Sequence, residues 1–363
     1  MKKSIKFFMI RIILFILNLS IRYTASFYPF WIENWYSNGL YRMISMILNF
    51  FNRIFDFSIG EYLFIFLILF ILYKVIIFIK KIITYKKNRK SILLSFFISI
   101  FISINIIYFL FMLLWGLNYY RLPLSEITHL SIAPYSVEDL ENLCVILTNK
   151  ANILRTKVDE NHQGIMTLKK EGNNLLEKAN TGYILASNTY PILKGKYSTP
   201  KEIYFSNALS WMGISGIYSP FTGEANINKK VPDCMIPSTI CHEMAHQRGF
   251  AREDEANYIA YITCKIHPDE NFQYSGVLLA LIHSMNALYT YDEKKYVKIR
   301  NTYSIGVKKD LENIHEFWEQ YKGPIEETSS KVNDAYLKSN QQSDGIHSYG
   351  RMVDLLLAET QQK

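Results

Sequence analysis

Residues 91–115, SILLSFFISIFISINIIYFLFMLLW, carry no charged side chain. A run of that length suffices to cross the ~30 Å hydrocarbon core of a bilayer as one helix. This stretch predicts a membrane span and sets the frame for the rest. Upstream, Ser58, Gly60 and Glu61 lead into YLFIFLILFILYKVIIFI, interrupted only by Lys74, whose aliphatic stem can snorkel to the headgroups. That predicts a span over about residues 60–79. A third apolar segment, IKFFMIRIILFILNLSI at 5–21, contains Arg11 and has no small-residue cleavage site after it. It reads as an uncleaved signal anchor, with a tilted or partly interfacial helix as the plainer alternative.

Orientation follows from the loops. KKIITYKKNRK at 80–90 holds Lys80, Lys81, Lys86, Lys87, Arg89 and Lys90 with no acid, and such loops stay cytoplasmic. Three crossings then divide the chain into an anchor, 1–117, and a domain, 118–363, outside the cytoplasmic membrane. The formal charge of +8 gathers beside the apolar runs, so it indicates a lipid bilayer as partner and not nucleic acid. Residues 22–57 would lie outside between two spans. Trp31, Trp35, Tyr36, Tyr41 and Phe50 interleave there with Arg42 and Arg53. Two readings stand: an amphipathic helix in the interface plane, or a short helix buried against the outer domain.

In the outer domain, Arg121–Pro134 reads as an irregular linker. Ser136 caps a helix with acids in its first turn. Helical periods recur over about 168–186, from near Tyr274, and at 306–321, 325–338 and 349–359. Lys201–Phe205 suits a short strand, and ALSWMGISGIYSPFTGEANINK suits turns plus one extended run at Glu224–Asn228. The fold class is therefore α+β, mainly helical with a small sheet. Cys144, Cys234, Cys241 and Cys264 have no CxxC spacing, which argues against a cysteine zinc site.

The chemistry concentrates in PSTICHEMAHQRGFAREDEAN, residues 237–257. Ser238 is a suitable N-cap and Gly249 a natural exit for the helix between them. His242 and His246 stand one turn apart on one face, a spacing that lets two imidazoles share one ion. Glu243 sits beside the first histidine, where a carboxylate can take a proton from metal-activated water. A third protein ligand is required. The position six residues after His246 is Arg252, whose guanidinium offers no lone pair. Glu253, at the start of a second helix, is the better candidate, with Glu255 as fallback. Asn257, one turn after Glu253, can accept a proton from a ligand imidazole and fix its tautomer. An acidic first turn favoured by the helix dipole would explain these acids without metal.

HExxH followed by Glu253-Asp254-Glu255-Ala256-Asn257 resembles the glutamate-zincin metallopeptidases. In that clan the third ligand is a glutamate with Asp or Asn four residues on, and the ion is Zn²⁺. More closely, TGEANIN, CHEMAHQRGFAREDEANYIAY, FQYSG and DGIHSYGRMVDLLL resemble a bacterial membrane family, domain of unknown function 3810, over nearly the whole chain. The zincin resemblance implies a zinc metallopeptidase acting on a peptide or protein. It also implies an edge strand above the metal, for which Glu224, Ala225 and Asn226 are candidates, an ordinary turn being the alternative. An oxyanion donor is implied too; Tyr349 and Arg351 lead, with His347, Tyr274 and His283 behind them. A non-catalytic zinc-binding receptor or assembly factor is the competing reading. Such a protein needs no general base and tends to close its zinc with a fourth ligand.

Overall fold

A computed structural model describes residues 2–169 and 175–361; within the first helix, side chains are described at residue 13 and from 15 onward. Among the described residues two helices, Ile59–Thr84 and Lys86–Leu114, are long and apolar enough to cross a membrane. The structure thus supports two of the three expected spans. Residues 5–21 lie in the helix Lys2–Phe27, and much of that expectation falls outside the described side chains. Polar positions dilute this helix. Asn18, at 3 % exposure, donates to the Asn105 carbonyl at 3.0 Å in the second apolar helix.

The rest is mainly helical around one small sheet. The helix Val137–Arg155 begins with a reciprocal cap between Ser136 and Asp139, as the sequence predicts. It packs along Glu270–Tyr291, a long helix that also backs Ile236–Gln247 and Glu253–Lys265. Phe250, Tyr258, Phe272, Tyr274 and Leu281 are fully buried in the core these helices share. Three strands, β1 (Lys201–Glu202), β2 (Gly216–Ser219) and β3 (Glu224–Ile227), order as β1-β3-β2. β3 runs parallel to β1 and antiparallel to β2.

Several local expectations are corrected. Ser238 is not the cap: the motif helix starts at Ile236 with Pro237 in its first turn, where proline's missing N–H costs nothing. The Ser238 hydroxyl donates instead to the Met235 carbonyl. Lys201–Phe205 pairs only over its first two residues, and Gly216–Ser219, expected as turn, is a strand. The segment Arg121–Pro134 contains a short helix, Leu124–Thr128. Arg121 itself is buried, paired through two hydrogen bonds with Glu33 at 2.8 and 2.7 Å.

Residues 29–52 form a short helical turn, a π-helix (Ile32–Leu40) and the helix Tyr41–Asn52. One side of this segment packs on the part of the chain that carries the sheet. Tyr36, Tyr41, Ser45, Asn49 and Asn52 are buried; Asn49 Oδ1 accepts from the Ser198 amide, and Asn52 donates to the Thr222 carbonyl. The other side leaves Trp31, Trp35, Met46 and Phe50 exposed, as is Ile54 just beyond it. Residue 117 marks no break in packing, since Trp115, Tyr119 and Tyr120 share a cluster with Tyr36, Tyr41, Tyr218 and Ala251.

Candidate metal centre

The motif helix ends where Gly249 takes φ +81°. An L side chain is disfavoured there by its backbone and by space, since a Cβ would meet Tyr41 at 2.8 Å. The turn returns the chain through Phe250 and Ala251 to the helix Glu253–Lys265, which packs against the motif helix. That reversal carries Glu253 back over the two histidines. His242 Nε2 lies 3.1 Å from His246 Nε2 and 3.1 Å from Glu253 Oε2. His246 Nε2 is 3.5 Å from the same oxygen. His242, His246 and Glu253 offer ligand atoms within 4.8 Å of one another.

The outer nitrogens decide what faces inward. Asn257 Nδ2 donates to the Tyr349 carbonyl at 3.2 Å, so its Oδ1 is the atom 2.8 Å from His242 Nδ1 and must accept there. His246 Nδ1 is 2.7 Å from the Phe250 carbonyl and likewise donates. With Nδ1 donating in each ring, the Nε2 atoms are the ones turned toward each other and toward a carboxylate, as bare lone pairs whenever no proton sits on them. Three lone-pair donors that close repel unless a proton or cation lies among them. Burial lowers the His246 pKa, but the Glu253 carboxylate outweighs it and the balance rises to about 9. For Glu253, burial pushes upward, yet the two histidines prevail and bring it to about 2. The cluster is built to hold positive charge.

Glu243 points to the neighbouring space. It is 4 % exposed, and its Oε2 has no hydrogen-bond partner among the described residues. Burial lifts its pKa to about 7 against the opposing pull of His242 and His246. It lines a cavity of about 350 Å³ with His242, Tyr349, His283, Leu278 and Gly216. Gly216 is required by close approach: a Cβ there would stand 2.6 Å from Glu243 Oε1.

The remaining candidates separate clearly. The Tyr349 ring lies nearly parallel to that of His242, centroids 6.5 Å apart. Burial and the Glu253 carboxylate raise its phenol pKa well above the usual value, keeping it a donor at neutral pH. Arg351 is directed elsewhere, to Asp344 at 3.0 Å and Asp254 at 3.6 Å. His347 is exposed, and the Tyr274 hydroxyl donates to Asp310 in the core. His283 lines the cavity, with a pKa lowered to about 4 by burial and by His242. Glu255 serves the fold, accepting from the Leu124 amide and from Arg252 at 2.8 Å each. Asp254 pairs with Arg351. The acidic first turn thus places Glu253 at the histidines and gives its neighbours other partners.

The candidate substrate strand needs the largest correction. Glu224, Ala225 and Asn226 lie in β3, the central strand, paired on both sides and fully buried. They offer no free edge. The Glu224 carboxylate accepts from the Ile59 and Gly60 amides at 2.9 and 2.6 Å and from Lys201 Nζ at 2.7 Å. β1 and β2 are the edge strands, and β2 is the one that lies against Glu243. The Asn228 amide donates to the Ser215 carbonyl, so alternation along the antiparallel pair turns the backbone groups of Gly216 and Tyr218 away from β3.

Sequence reasoning also missed what holds the motif helix from behind. Trp115 Nε1 donates to the His246 carbonyl at 3.3 Å, and the Tyr41 hydroxyl to the Gln247 carbonyl at 2.9 Å. No local pattern marks them as partners of a helix 206 residues away for Tyr41 and 131 for Trp115. In comparisons with known proteins, a family model described as protein of unknown function (DUF3810) matches residues 36–357. No curated protein and no solved structure matches.

Proposed function

The chain belongs to the DUF3810 family, and because that description assigns no activity, we propose from the site itself a membrane-anchored zinc metallopeptidase. The observation that carries this reading is the pairing of two features. Two bare imidazole nitrogens and a carboxylate oxygen converge within 4.8 Å, and an unpartnered buried carboxylate, Glu243, stands beside them. Two nitrogens and one oxygen suit zinc, and three protein ligands leave a position for solvent. His242, His246 and Glu253 would hold the ion. Asn257 and the Phe250 carbonyl orient the rings from behind, the support that ligating histidines ordinarily have. When bound, zinc supplies Lewis acidity for the scissile carbonyl and makes water easier to deprotonate.

The chain's own groups do the rest. Glu243, with a pKa near neutrality, takes a proton from water and returns it to the leaving amine. Tyr349 donates its phenolic hydrogen to the developing oxyanion. The open edge of β2 holds an extended substrate by backbone hydrogen bonds through Gly216 and Tyr218. The short sheet beside a motif helix agrees with the zincin resemblance. Basic residues 80–90 favour a cytoplasmic loop between the two apolar helices, placing the site outside the cytoplasmic membrane.

The alternative, a zinc-bearing receptor without activity, has no use for a carboxylate left desolvated and unpartnered, which costs free energy. The test uses the full chain, purified in detergent and loaded with one equivalent of zinc, on a mixture of unrelated peptides read by mass spectrometry. Cleavage that disappears in Glu243→Gln, with zinc retained, is the expected result. A zinc-replete wild type that cuts nothing would sink the proposal.

A further inference from the structure

Two independent tethers fix how high the centre stands above the ends of the apolar helices. At one, Trp115 directly follows the helix that closes at Leu114. Its ring centroid lies 5.9 Å from that of His246, the two rings edge to face. At the other, the first amides of the helix Ile59–Thr84 are held by Glu224. The Gly60 backbone there abuts Ser219, which a Cβ at residue 60 would meet at 3.0 Å. Ser219 is the last residue of β2, and Gly216, against Glu243, is the first. Three strand steps of ~3.3 Å separate them, about 10 Å. A long-range contact between the membrane helices and a remote lobe would allow no such conclusion; here both lead straight to the ligand shell.

The same end of the molecule carries the exposed Phe30, Trp31, Trp35, Phe50 and Ile54. Aromatic and aliphatic side chains of this kind settle at the boundary between headgroups and acyl chains. The bilayer surface therefore lies about one strand length from Glu243. A protein in free solution would have to bring a cleavable segment down to that level. A chain already anchored in the membrane reaches it directly.

We infer that the substrate is the juxtamembrane stretch of a membrane-anchored polypeptide, cut about three to four residues beyond its anchor. That spacing follows from ~3.3–3.6 Å per extended residue over 10 Å or slightly more. The inference rests on the peptidase reading and adds the substrate's place.

The experiment places the zinc-loaded full chain in proteoliposomes with model substrates. Each substrate has one Leu/Ala-rich span followed by a Gly/Ser arm carrying a randomised six-residue block. The block begins either 3 or 25 residues from the span, and a third version lacks the span. Products are read by mass spectrometry. The near block is expected to be cut at least ten-fold faster than the far one, although both share the same membrane confinement. Equal rates, or faster cleavage of the far or spanless block, overturn the inference while leaving the peptidase reading intact. Cleavage of none of them, by a preparation holding zinc, overturns both.

Discussion

Replacing Gly216 with alanine separates catalysis from folding better than any change to the ligands. A Cβ at 216 would stand 2.6 Å from Glu243 Oε1, 2.8 Å from its Cγ and 2.9 Å from its Cδ. Ordinary contact begins at 3.4 Å, so the carboxylate must withdraw by about 0.8 Å. Gly216 is absent from the glycines with positive φ, so alanine fits the backbone and lowers unfolded-state entropy. The atoms that must yield all belong to one side chain, Glu243 from its Cγ outward, and no backbone atom is among them. Stability should therefore change by less than about 1 kcal/mol. Catalysis should not be spared, because a misplacement near 1 Å costs on the order of 100-fold. The expected outcome for Gly216→Ala is a kcat lower by roughly 10- to 100-fold, one zinc retained and a Tm within a few degrees of wild type. The assay is steady-state hydrolysis of whichever peptide the wild type cuts, beside metal analysis and calorimetry. Unchanged kcat would refute Glu243 as the base. A collapse in Tm would show that Gly216 serves packing instead.

Three further outcomes are expected. Asn257→Leu leaves the His242 Nδ1 hydrogen without the Oδ1 that accepts it, so zinc affinity should fall about 10- to 100-fold by competition with a chelating dye. Glu224→Ala strands the Lys201 ammonium, 6 % exposed at its side chain, and frees the Ile59 and Gly60 amides. A loss of about 3–5 kcal/mol is expected, seen as a lower unfolding midpoint; normal stability with only a raised KM would restore Glu224 to substrate binding. In the zinc-free protein, His246 has its pKa raised to about 9. Its contribution to stability is fully present below pH 6.5 and disappears as pH climbs through 9. Glu253, lowered to about 2, contributes above pH 4.5 and loses that contribution as pH falls through 2. The metal-free Tm should thus peak near pH 5–6, whereas zinc, which displaces the proton, should remove the alkaline decline in a Tm–pH series.

How much of this was legible in the sequence depended on whether the information was local. His242, His246 and Glu243 share one helix turn, so their geometry follows from 3.6 residues per turn and little else. Glu253 was legible because Gly249 marks a reversal that brings the next helix back. Sequence leaves Glu253 and Glu255 both open; in the structure Glu253 lies against the two histidines, while Glu255 turns to the Leu124 amide and Arg252. The small sheet and the extended run at Glu224–Asn228 are present as expected, but strand order was not legible because register is nonlocal. Nothing in EANIN says that β1 will pair on its far side, and GISGIYS hides a strand behind two glycines. Arg351 was drawn in by its place beside Tyr349, but the two acids that claim it, Asp254 and Asp344, are set by tertiary packing. Position along a chain does not predict which charge a guanidinium will find.

Those same nonlocal contacts tie the anchor to the chemistry. A helix that ends at Gln247 leaves its last carbonyls needing partners, and two of the donors are Tyr41 and Trp115, from segments that flank the apolar helices. Tyr41 also meets Tyr218 of β2, hydroxyl to hydroxyl at 3.2 Å. The open strand edge and the C-terminal end of the motif helix thus rest on one aromatic cluster. Buried polar groups left unpaired cost about 1–3 kcal/mol each, so these residues add to the hold that the helices Glu253–Lys265 and Glu270–Tyr291 already have on the motif helix. Movement of the apolar helices relative to the motif helix would be felt first at the His246 carbonyl. From there it reaches the imidazole by a single side chain, with no intervening loop to absorb it.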